Sequence, residues 1–257
     1  MAESRKDVLV VIPARWAAQR FPGKPLTAID GKPMIQRVWE AAAQSKRATR
    51  VVIATDDTRI SKAAKRFGAS VCMTSPKCPS GTDRVAQAAK ASKAGIIVNV
   101  QGDEPLMTSQ TIDKVIEALQ QDDTAIMSTA VRRSENDKEW KSPNSVKAVL
   151  DRMNYALYFS RAPIPAVRSA EDAHRSPKWI HLGIYAFRRP FLFRFAALAP
   201  TTLELTEKLE QLRVLEHGCS IKVVIAKEMS AAVDTPQDVK RVEKILKASL
   251  KRAEEAL

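Results

Sequence analysis

Short apolar runs alternate with amphipathic segments along about the first 120 residues. The runs are rich in β-branched residues and predict strands buried on both faces, as in a parallel sheet. They lie at 8–12, 51–55, 70–73 and 96–100. The amphipathic segments predict helices, of which one begins at Pro33 and the others cover 60–67, 83–92 and 112–119. This alternation predicts an α/β fold with a doubly wound, mostly parallel central sheet and helices on both faces.

The pattern changes after residue 125. Strands are predicted at 126–131, 146–151, 179–188 and 221–226, with a charged loop over 132–144. A leucine stripe at 205–215 predicts one helix, and Thr235 before Pro236 predicts another that runs to the C-terminus. No internal repeat or long linker interrupts the sequence. We therefore expect a single domain over 1–257 with a subsidiary lobe at roughly 130–200.

The net charge is the unusual feature of the composition. Lysine and arginine number 42 against 29 acidic residues, a formal charge of +13, which suggests a polyanionic partner. The excess is spread over residues 1–50, 51–100 and 151–200, and no zinc-finger spacing, RNA-binding aromatic motif or basic heptad region is present. We therefore favour a solvated basic surface and do not expect a nucleic-acid partner.

Cysteine usage and hydropathy bear on the compartment. The three cysteines form no even disulfide set and no CxxC pair, which fits a reducing compartment. No apolar run approaches the roughly 18–20 residues that a membrane helix needs, and the polar start lacks the apolar region of a secretion signal. We expect a protein of the cytoplasm without membrane association.

The loop after the first strand collects cations. It carries Arg15, Arg20 and Lys24, with Gly23 allowing backbone N–H groups to approach a ligand. Ligands of doubly wound sheets bind beyond the carboxyl ends of the strands, where this loop lies. It matches neither the P-loop nor the GxGxxG pattern. A clamp for a triphosphate is favoured over a solvated loop with chance basic residues.

The segment from Ser80 to Arg84 lies between the third strand and a helix. Ser80 or Thr82 could cap that helix. A helix N-terminus with small hydroxyl residues also suits the polar edge of a nucleotide. The residues leave both interpretations open.

Two aspartates are candidate metal ligands. Asp103 directly follows the apolar strand at 96–100, where a carboxylate is costly unless it is paired or bound to a metal. Magnesium is commonly held by one or two carboxylates together with substrate phosphates, and we favour this role over a turn acid paired with a lysine. Asp234 follows the last strand, and metal ligation and support of the helix start at Thr235 are equally good interpretations.

His181 and Tyr185 are placed on one face of the strand at 179–188, because alternate side chains of a strand point the same way. Glu210 and Gln211 lie in the following helical segment. Taken alone, the pair is explained by core packing and the helical residues by surface packing, because a lone histidine on an apolar face is usually a core residue. The three histidines show no zinc spacing.

Several motifs taken together resemble the CMP-Kdo synthetases, the 3-deoxy-manno-octulosonate (Kdo) cytidylyltransferases. The motifs that carry the resemblance are PAR at 13–15, RFPGKPL at 20–26, SGTDR at 80–84, VNVQGDEP at 98–105, YALYFSR at 155–161, HLGIY at 181–185, LEQLR at 209–213 and VDTP at 233–236. Each is weak alone, but their order and spacing are specific. The resemblance runs from about Val8 to about Leu246.

This resemblance implies a Rossmann-like nucleotidyltransferase fold, a homodimer, and the reaction of CTP with Kdo to give CMP-Kdo and pyrophosphate for lipopolysaccharide biosynthesis. It implies that the sugar's anomeric 2-hydroxyl attacks the α-phosphorus in line, without a covalent enzyme intermediate. The catalytic residues would be Arg15, Lys24, Asp103 and Asp234. The two aspartates would bind Mg²⁺. The implied nucleotide contacts are Ala14, Arg15, Arg20, Lys24, Ser80, Gly81, Thr82, Arg84 and Gln101. The implied sugar contacts are Gln101, Arg161, His181, Tyr185, Glu210 and Gln211.

The sequence departs from the family pattern at two positions. Cys78 and Leu205 stand where members commonly or sometimes have histidine. Neither position is assigned to metal or phosphate, so only fine contacts are affected.

Two alternative functions remain. One is an enzyme like the CMP-sialic acid synthetases, which share the fold and reaction type but lack this set of motifs, and the other is a basic nucleic-acid-binding protein.

Overall fold

Strands and helices alternate along the chain in the computed structural model, which describes residues 7–16, 21–172, 175, 177–227 and 231–254. The strands are β1 (Val8–Ala14), β2 (Ala28–Ile29), β3 (Lys32–Pro33), β4 (Arg50–Thr55), β5 (Ser70–Met73), β6 (Ile96–Val100), β7 (Met127–Arg133), β8 (Lys147–Leu150), β9 (Ala156–Ser160), β10 (Trp179–Arg188) and β11 (Lys222–Ala226). The helices are α1 (Met34–Ala43), α2 (Thr58–Arg66), α3 (Gly81–Ala89), α4 (Ser109–Gln121), α5 (Asp137–Lys141), α6 (Arg189–Ala197), α7 (Thr202–Glu207), α8 (Gln211–Glu216) and α9 (Pro236–Glu254). The described residues divide into two compact units, one of 7–113 with 231–254 and one of 114–227.

The first unit contains a parallel sheet. β1 pairs in parallel with β4 and with β6, and β4 pairs in parallel with β5. Every residue of β1 and β6 is buried, which explains why both segments are continuous apolar runs. The predicted α/β class with a mostly parallel sheet is confirmed. Because the strands are parallel, the loops that follow β1, β4 and β6 leave the same edge of this sheet.

The C-terminal helix α9 packs on other elements of the first unit through an apolar cluster. Ile29 of β2 and Met34 of α1 are fully buried together with Val233 and Val242. Phe21 packs against the same cluster. Burial of this apolar surface stabilises the return of the chain and holds the segment before α9 beside the loop after β1.

Gly102 allows the loop after β6 to pass close to β1. A Cβ atom at this position would lie 2.9 Å from the carbonyl oxygen of Pro13 and 3.2 Å from Cδ1 of Ile35. A backbone oxygen cannot move aside as a flexible side chain can. The position of Asp103, the next residue, therefore depends on the absence of a side chain at 102.

The second unit is a mixed sheet. β10 pairs antiparallel with β7 and with β8, β8 pairs antiparallel with β9, and β11 pairs in parallel with β7. Its core includes rings in close contact, with Phe187 packed against both Phe191 and Phe195. The rings of His181 and Tyr185 lie 5.4 Å apart, so the prediction that they share a face of β10 is confirmed. The single domain with a lobe at 130–200 stays a prediction.

Several local expectations are wrong. The segment 132–144 is not a loop throughout, because Asn136 accepts hydrogen bonds from the backbone of Lys138 and Glu139 and so begins α5. The predicted helix over 205–215 is two helices, α7 and α8, separated at Lys208, whose φ of 54° ends α7. The hairpin β2–β3, the strand β9 and the helix α6 were not predicted.

None of the helices within the described ranges combines the length and the apolarity that a membrane crossing requires.

We predict that Gly102→Ala destabilises the protein by about 1–3 kcal/mol, because the added methyl group overpacks against the Pro13 carbonyl. Urea unfolding of the variant and the wild type measures the difference. Gly81→Ala is the matched control, since a Cβ atom there would meet no atom closer than 3.4 Å. Its free energy of unfolding should equal or slightly exceed that of the wild type. Equal stability of the two variants would contradict the close approach at Gly102.

Candidate active site

The ammonium group of Lys24 lies at the centre of a charged cluster in the first unit. Its Nζ donates to Oδ2 of Asp103 at 2.7 Å and to the carbonyl oxygen of Val233 at 2.8 Å. Oδ1 of Asp234 lies 3.4 Å away from the same nitrogen. The lysine side chain is only 13% exposed, against 32% and 40% for the two carboxylates. One cation thus joins the two aspartates that were predicted as metal ligands.

The backbone before Lys24 is fixed by a tight turn. Gly23 has a φ of +73°, a conformation that glycine adopts without strain, and it precedes a short 3₁₀ turn that contains Lys24. The indole ring of Trp16 packs on Gly23, where a Cβ atom would come within 3.1 Å of it. The guanidinium of Arg59 covers this indole at 3.6 Å, a cation–π contact. These contacts hold the two ends of the loop after β1 together.

Asp238 supports the start of α9. Oδ2 of Asp238 accepts hydrogen bonds from the backbone N–H groups of Asp234 and Thr235 and from the Thr235 hydroxyl. These three hydrogen bonds show that Asp238 takes part in the helix start, while metal ligation by Asp234 stays a prediction. The backbone N–H of Val233 donates to the Asp103 carbonyl at 2.9 Å, which joins this segment to the loop after β6.

The pair of aspartates fits a divalent cation. Both carboxylates lie within 3.4 Å of one nitrogen atom, so a single ion between them could bind both. In the part of the chain that the structure describes, no three histidine, cysteine, aspartate or glutamate side chains come together. Magnesium prefers oxygen ligands and retains several waters or phosphate oxygens. Such an ion would therefore take its other ligands from a bound phosphate and from water.

Arg15, another cation of the loop after β1, is available to bind a ligand. The side chain of Arg15 is exposed, and within the described residues it makes no hydrogen bond or ion pair. Ala14, at the end of β1, is buried. Arg20, the third predicted cation, lies outside the described residues.

The segment 80–84 begins helix α3 at Gly81, two residues earlier than predicted. Ser80 caps it, because its hydroxyl accepts from the Asp83 backbone N–H while the Asp83 carboxylate accepts from the Ser80 backbone N–H. Thr82 is buried and accepts from Asn99 at 3.1 Å. The cap interpretation thus holds for Ser80, and contact with a nucleotide stays a prediction for this segment.

Arg84 is buried and pairs within the protein. Its guanidinium donates to the Thr74 hydroxyl at 2.5 Å and lies 3.3 Å from the Asp56 carboxylate. Gln101 donates to the Asn99 side chain at 3.4 Å. Sequence reasoning missed Asp56 and Asn99. Asp56 directly follows β4, so the argument that identified Asp103 after β6 would also have found it.

The second unit contains a cluster of uncharged polar groups. The Tyr185 hydroxyl donates to Oε1 of Gln211 at 3.0 Å, and both side chains are buried. Nε2 of Gln211 is buried and has no hydrogen-bond partner among the residues that the structure describes. Burial of the imidazole lowers the pKa of His181 to about 3, so the ring is neutral near pH 7. A buried amide donor without a partner is costly, which indicates a place for a ligand.

Arg161 and Glu210 are two further residues that were predicted to contact the sugar. The guanidinium of Arg161 donates to the carbonyl oxygens of Glu207, Pro143 and Lys208, and so holds loops of the second unit. Glu210 directly precedes α8. A contact of either residue with a sugar stays a prediction.

The comparisons with known proteins identify the family. A model of the cytidylyltransferase family matches residues 9–228. The chain is 46% identical to the 3-deoxy-manno-octulosonate cytidylyltransferase of Geobacter sulfurreducens over 94% of this chain and all of that relative. The chain belongs to the 3-deoxy-manno-octulosonate cytidylyltransferase family. A family member from Syntrophotalea carbinolica is 47% identical, over 92% of this chain and 97% of that protein.

Solved structures agree with this family assignment. The structure of a CMP:2-keto-3-deoxy-manno-octonic acid synthetase complexed with CTP matches 95% of this chain and 99% of its own, with a TM-score of 0.88 and 36% identity. HddC from Yersinia pseudotuberculosis matches with a TM-score of 0.68 over 93% of this chain and 99% of its own. At 15% identity, HddC shows only the shared fold. The nucleotidyltransferase fold of the cytidylyltransferase family is thereby confirmed.

We predict that His181 makes the protein less stable in acid. The unfolded state binds a proton near the ordinary imidazole pKa of about 6.5, whereas the folded state does so only near 3. The free energy of unfolding should therefore fall as the pH drops from 6.5 towards 3, and this group should contribute about 2 kcal/mol of loss between pH 7 and pH 5. Urea unfolding at both pH values should show a loss smaller by that amount in His181→Asn. Equal losses in the variant and the wild type would contradict the lowered pKa.

Proposed function

We propose that this protein is an enzyme that joins the CMP portion of CTP to Kdo and releases pyrophosphate. The observation that carries the proposal is the 46–47% identity, over nearly the whole chain, to relatives named for this reaction. The charged cluster around Lys24 supports it, because a transfer from a triphosphate needs cations beside the phosphates. The neutral cluster around His181 and Gln211 supports a polyhydroxylated acceptor.

The triphosphate would be held by the loop after β1. Arg15 carries an exposed guanidinium whose geometry suits phosphate oxygens. The Lys24 ammonium would neutralise the charge that develops on the leaving pyrophosphate. The N-terminus of α3, with Ser80 and Gly81, would lie beside the nucleoside, where backbone N–H groups favour polar or negative groups.

Magnesium would be held by Asp103 and Asp234. When bound, the ion supplies positive charge to the phosphates and lowers the pKa of a hydroxyl that it binds. The protein's own contribution is to keep both carboxylates close together, through Lys24 and through the bond from the Val233 N–H to the Asp103 carbonyl.

The acceptor sugar would bind the neutral cluster. The unpartnered Nε2 of Gln211 would donate to an oxygen of Kdo, and Tyr185 would fix the orientation of this amide. The anomeric 2-hydroxyl of Kdo would then attack the α-phosphorus. A bond forms between them while the bond from the α-phosphorus to the pyrophosphate oxygen breaks, and the hydroxyl proton leaves to solvent. By the same family resemblance, the enzyme would act as a homodimer in the bacterial cytoplasm and serve lipopolysaccharide synthesis.

We predict magnesium-dependent pyrophosphate release only when CTP and Kdo are both supplied. A coupled phosphate assay measures it, and N-acetylneuraminate in place of Kdo is the control for a sialic acid enzyme. Equal release with N-acetylneuraminate, or none with Kdo, would reject the assignment.

The alternative of a nucleic-acid-binding protein rests on the formal charge of +13. If that charge bound nucleic acid, DNA affinity would fall steeply with salt concentration as counterions are released.

We predict that Asp103→Asn and Asp234→Asn each lower kcat by about 100-fold or more, because each removes a charge that positions the metal and phosphates. Both substitutions keep the size of the side chain. Asp30→Asn is the matched control, an exposed aspartate with a positive φ that asparagine also adopts. It should retain wild-type turnover. Wild-type turnover in either of the first two variants would remove that residue from the proposed metal site.

We predict that Lys24→Met binds Mn²⁺ about 5-fold more tightly than the wild type when no nucleotide is present, because the ammonium and a divalent ion compete for the same carboxylates. Electron paramagnetic resonance of free Mn²⁺ measures this without turnover. In the presence of CTP the same variant should lose activity. Equal Mn²⁺ affinity of the variant and the wild type would show that the ion binds elsewhere.

A further inference from the structure

The hydroxyl group of Thr129 contacts both a backbone carbonyl and a ring nitrogen. It lies on β7 and is fully buried. Its Oγ1 is 2.7 Å from the carbonyl oxygen of Ile184 and 2.8 Å from Nε2 of His181. A carbonyl oxygen can only accept a hydrogen bond, and a hydroxyl carries one hydrogen. The Thr129 hydrogen is therefore donated to Ile184.

This arrangement decides which nitrogen of His181 carries the proton. Because the Thr129 hydrogen is already used, Nε2 must donate to Oγ1. The ring is neutral, as its lowered pKa indicates, so it carries one N–H group in total. Nδ1 is then a hydrogen-bond acceptor, and it has no partner among the described residues.

The Ile184 carbonyl is available to Thr129 because β10 contains a bulge. Leu182 is paired with Ala130, and the next pair joins Tyr185 to Thr129. Two residues of β10 thus lie between consecutive pairs of the ladder, which frees the Ile184 carbonyl from it. A bulge of this kind re-aims groups beside a functional site.

We infer that Thr129 is a positioning residue that holds His181 with Nδ1 as an acceptor, so that it receives a hydrogen bond from a hydroxyl of the acceptor sugar. The inference rests on the proposed function and deepens it. A lone pair at this place favours a hydroxyl over a carboxylate, because a carboxylate oxygen has no hydrogen to donate. It follows that the carboxylate of the sugar acid binds elsewhere, and the Nε2 of Gln211, which has no partner among the described residues, is a candidate donor to it.

The first test reads the tautomer directly in the full-length enzyme without substrates. Long-range ¹H–¹⁵N correlation spectra of ¹⁵N-histidine-labelled protein distinguish Nε2–H from Nδ1–H, and loss of a signal in His181→Asn assigns the ring among the three histidines. The wild type and Thr129→Ser should show the Nε2–H form. Thr129→Val, which keeps the shape but lacks the hydroxyl, should show a mixture or the other form. A pure Nε2–H form in Thr129→Val would overturn the inference.

The second test is kinetic. Thr129→Val should raise the KM for Kdo by about 10-fold while the KM for CTP changes less than about twofold, as expected for the loss of one oriented hydrogen bond. Thr129→Ser should restore the wild-type KM. An unchanged KM for Kdo in Thr129→Val would overturn the inference even if the tautomer changed.

Ser128→Ala is the matched control for both tests. Ser128 is the neighbouring residue on β7, is fully buried, and donates to the Val115 carbonyl at 2.6 Å without contact to His181. Its removal should change neither the tautomer nor the KM for Kdo, and a change equal to that of Thr129→Val would overturn the specific role of Thr129. A wild-type enzyme that does not turn over Kdo would reject the proposed function, and the spectra alone would then decide whether Thr129 fixes the tautomer.

Discussion

The ammonium group of Lys24 is the constraint on which the charged cluster depends. It binds two carboxylates and a backbone carbonyl that come from the loop after β6 and from the segment before α9. At an effective dielectric constant near 20, opposite unit charges about 3–4 Å apart attract by about 4–5 kcal/mol before solvent screening. Without a cation between them, the two carboxylates would repel each other. The cluster therefore requires a positive charge at this place at all times, from the lysine or from a bound ion.

This requirement explains features of the backbone that are distant in sequence. The left-handed turn at Gly23 positions Lys24. The close approach of Gly102 to the Pro13 carbonyl positions Asp103. The apolar cluster of Ile29, Met34 and Val242 holds the C-terminal helix, so that Val233 and Asp234 reach the same ammonium group. Packing and electrostatics act together here, since neither the apolar cluster nor the lysine alone specifies the position of the aspartates.

The sequence predicted the elements whose burial is uniform and missed those that depend on distant partners. β1 and β6 were predicted because a strand buried on both faces leaves a continuous apolar run. The bulge in β10 was missed because it is a change in the pairing of β10 with β7, a distant strand, which the residues of β10 alone do not show. For the site, the position of Lys24 in the loop after the first strand led to the prediction that it contacts a ligand. The sequence could not separate the roles of Asp234 and Asp238, because both acids adjoin the same helix start.

The polar clusters of the two units differ in charge, and each kind of cluster suits a different kind of ligand group. The cluster around Lys24 is charged, whereas the cluster around His181 contains a neutral imidazole, a phenol and an amide. Arg161, the cation that was predicted to contact the sugar, already donates to three backbone carbonyls. A site built from neutral donors and acceptors in fixed orientations binds hydroxyl groups selectively, because a missing partner leaves a buried polar group unsatisfied. In the proposed function, selectivity for the acceptor would depend on hydrogen-bond direction in this cluster, and the single proton placed by Thr129 would determine one of those directions.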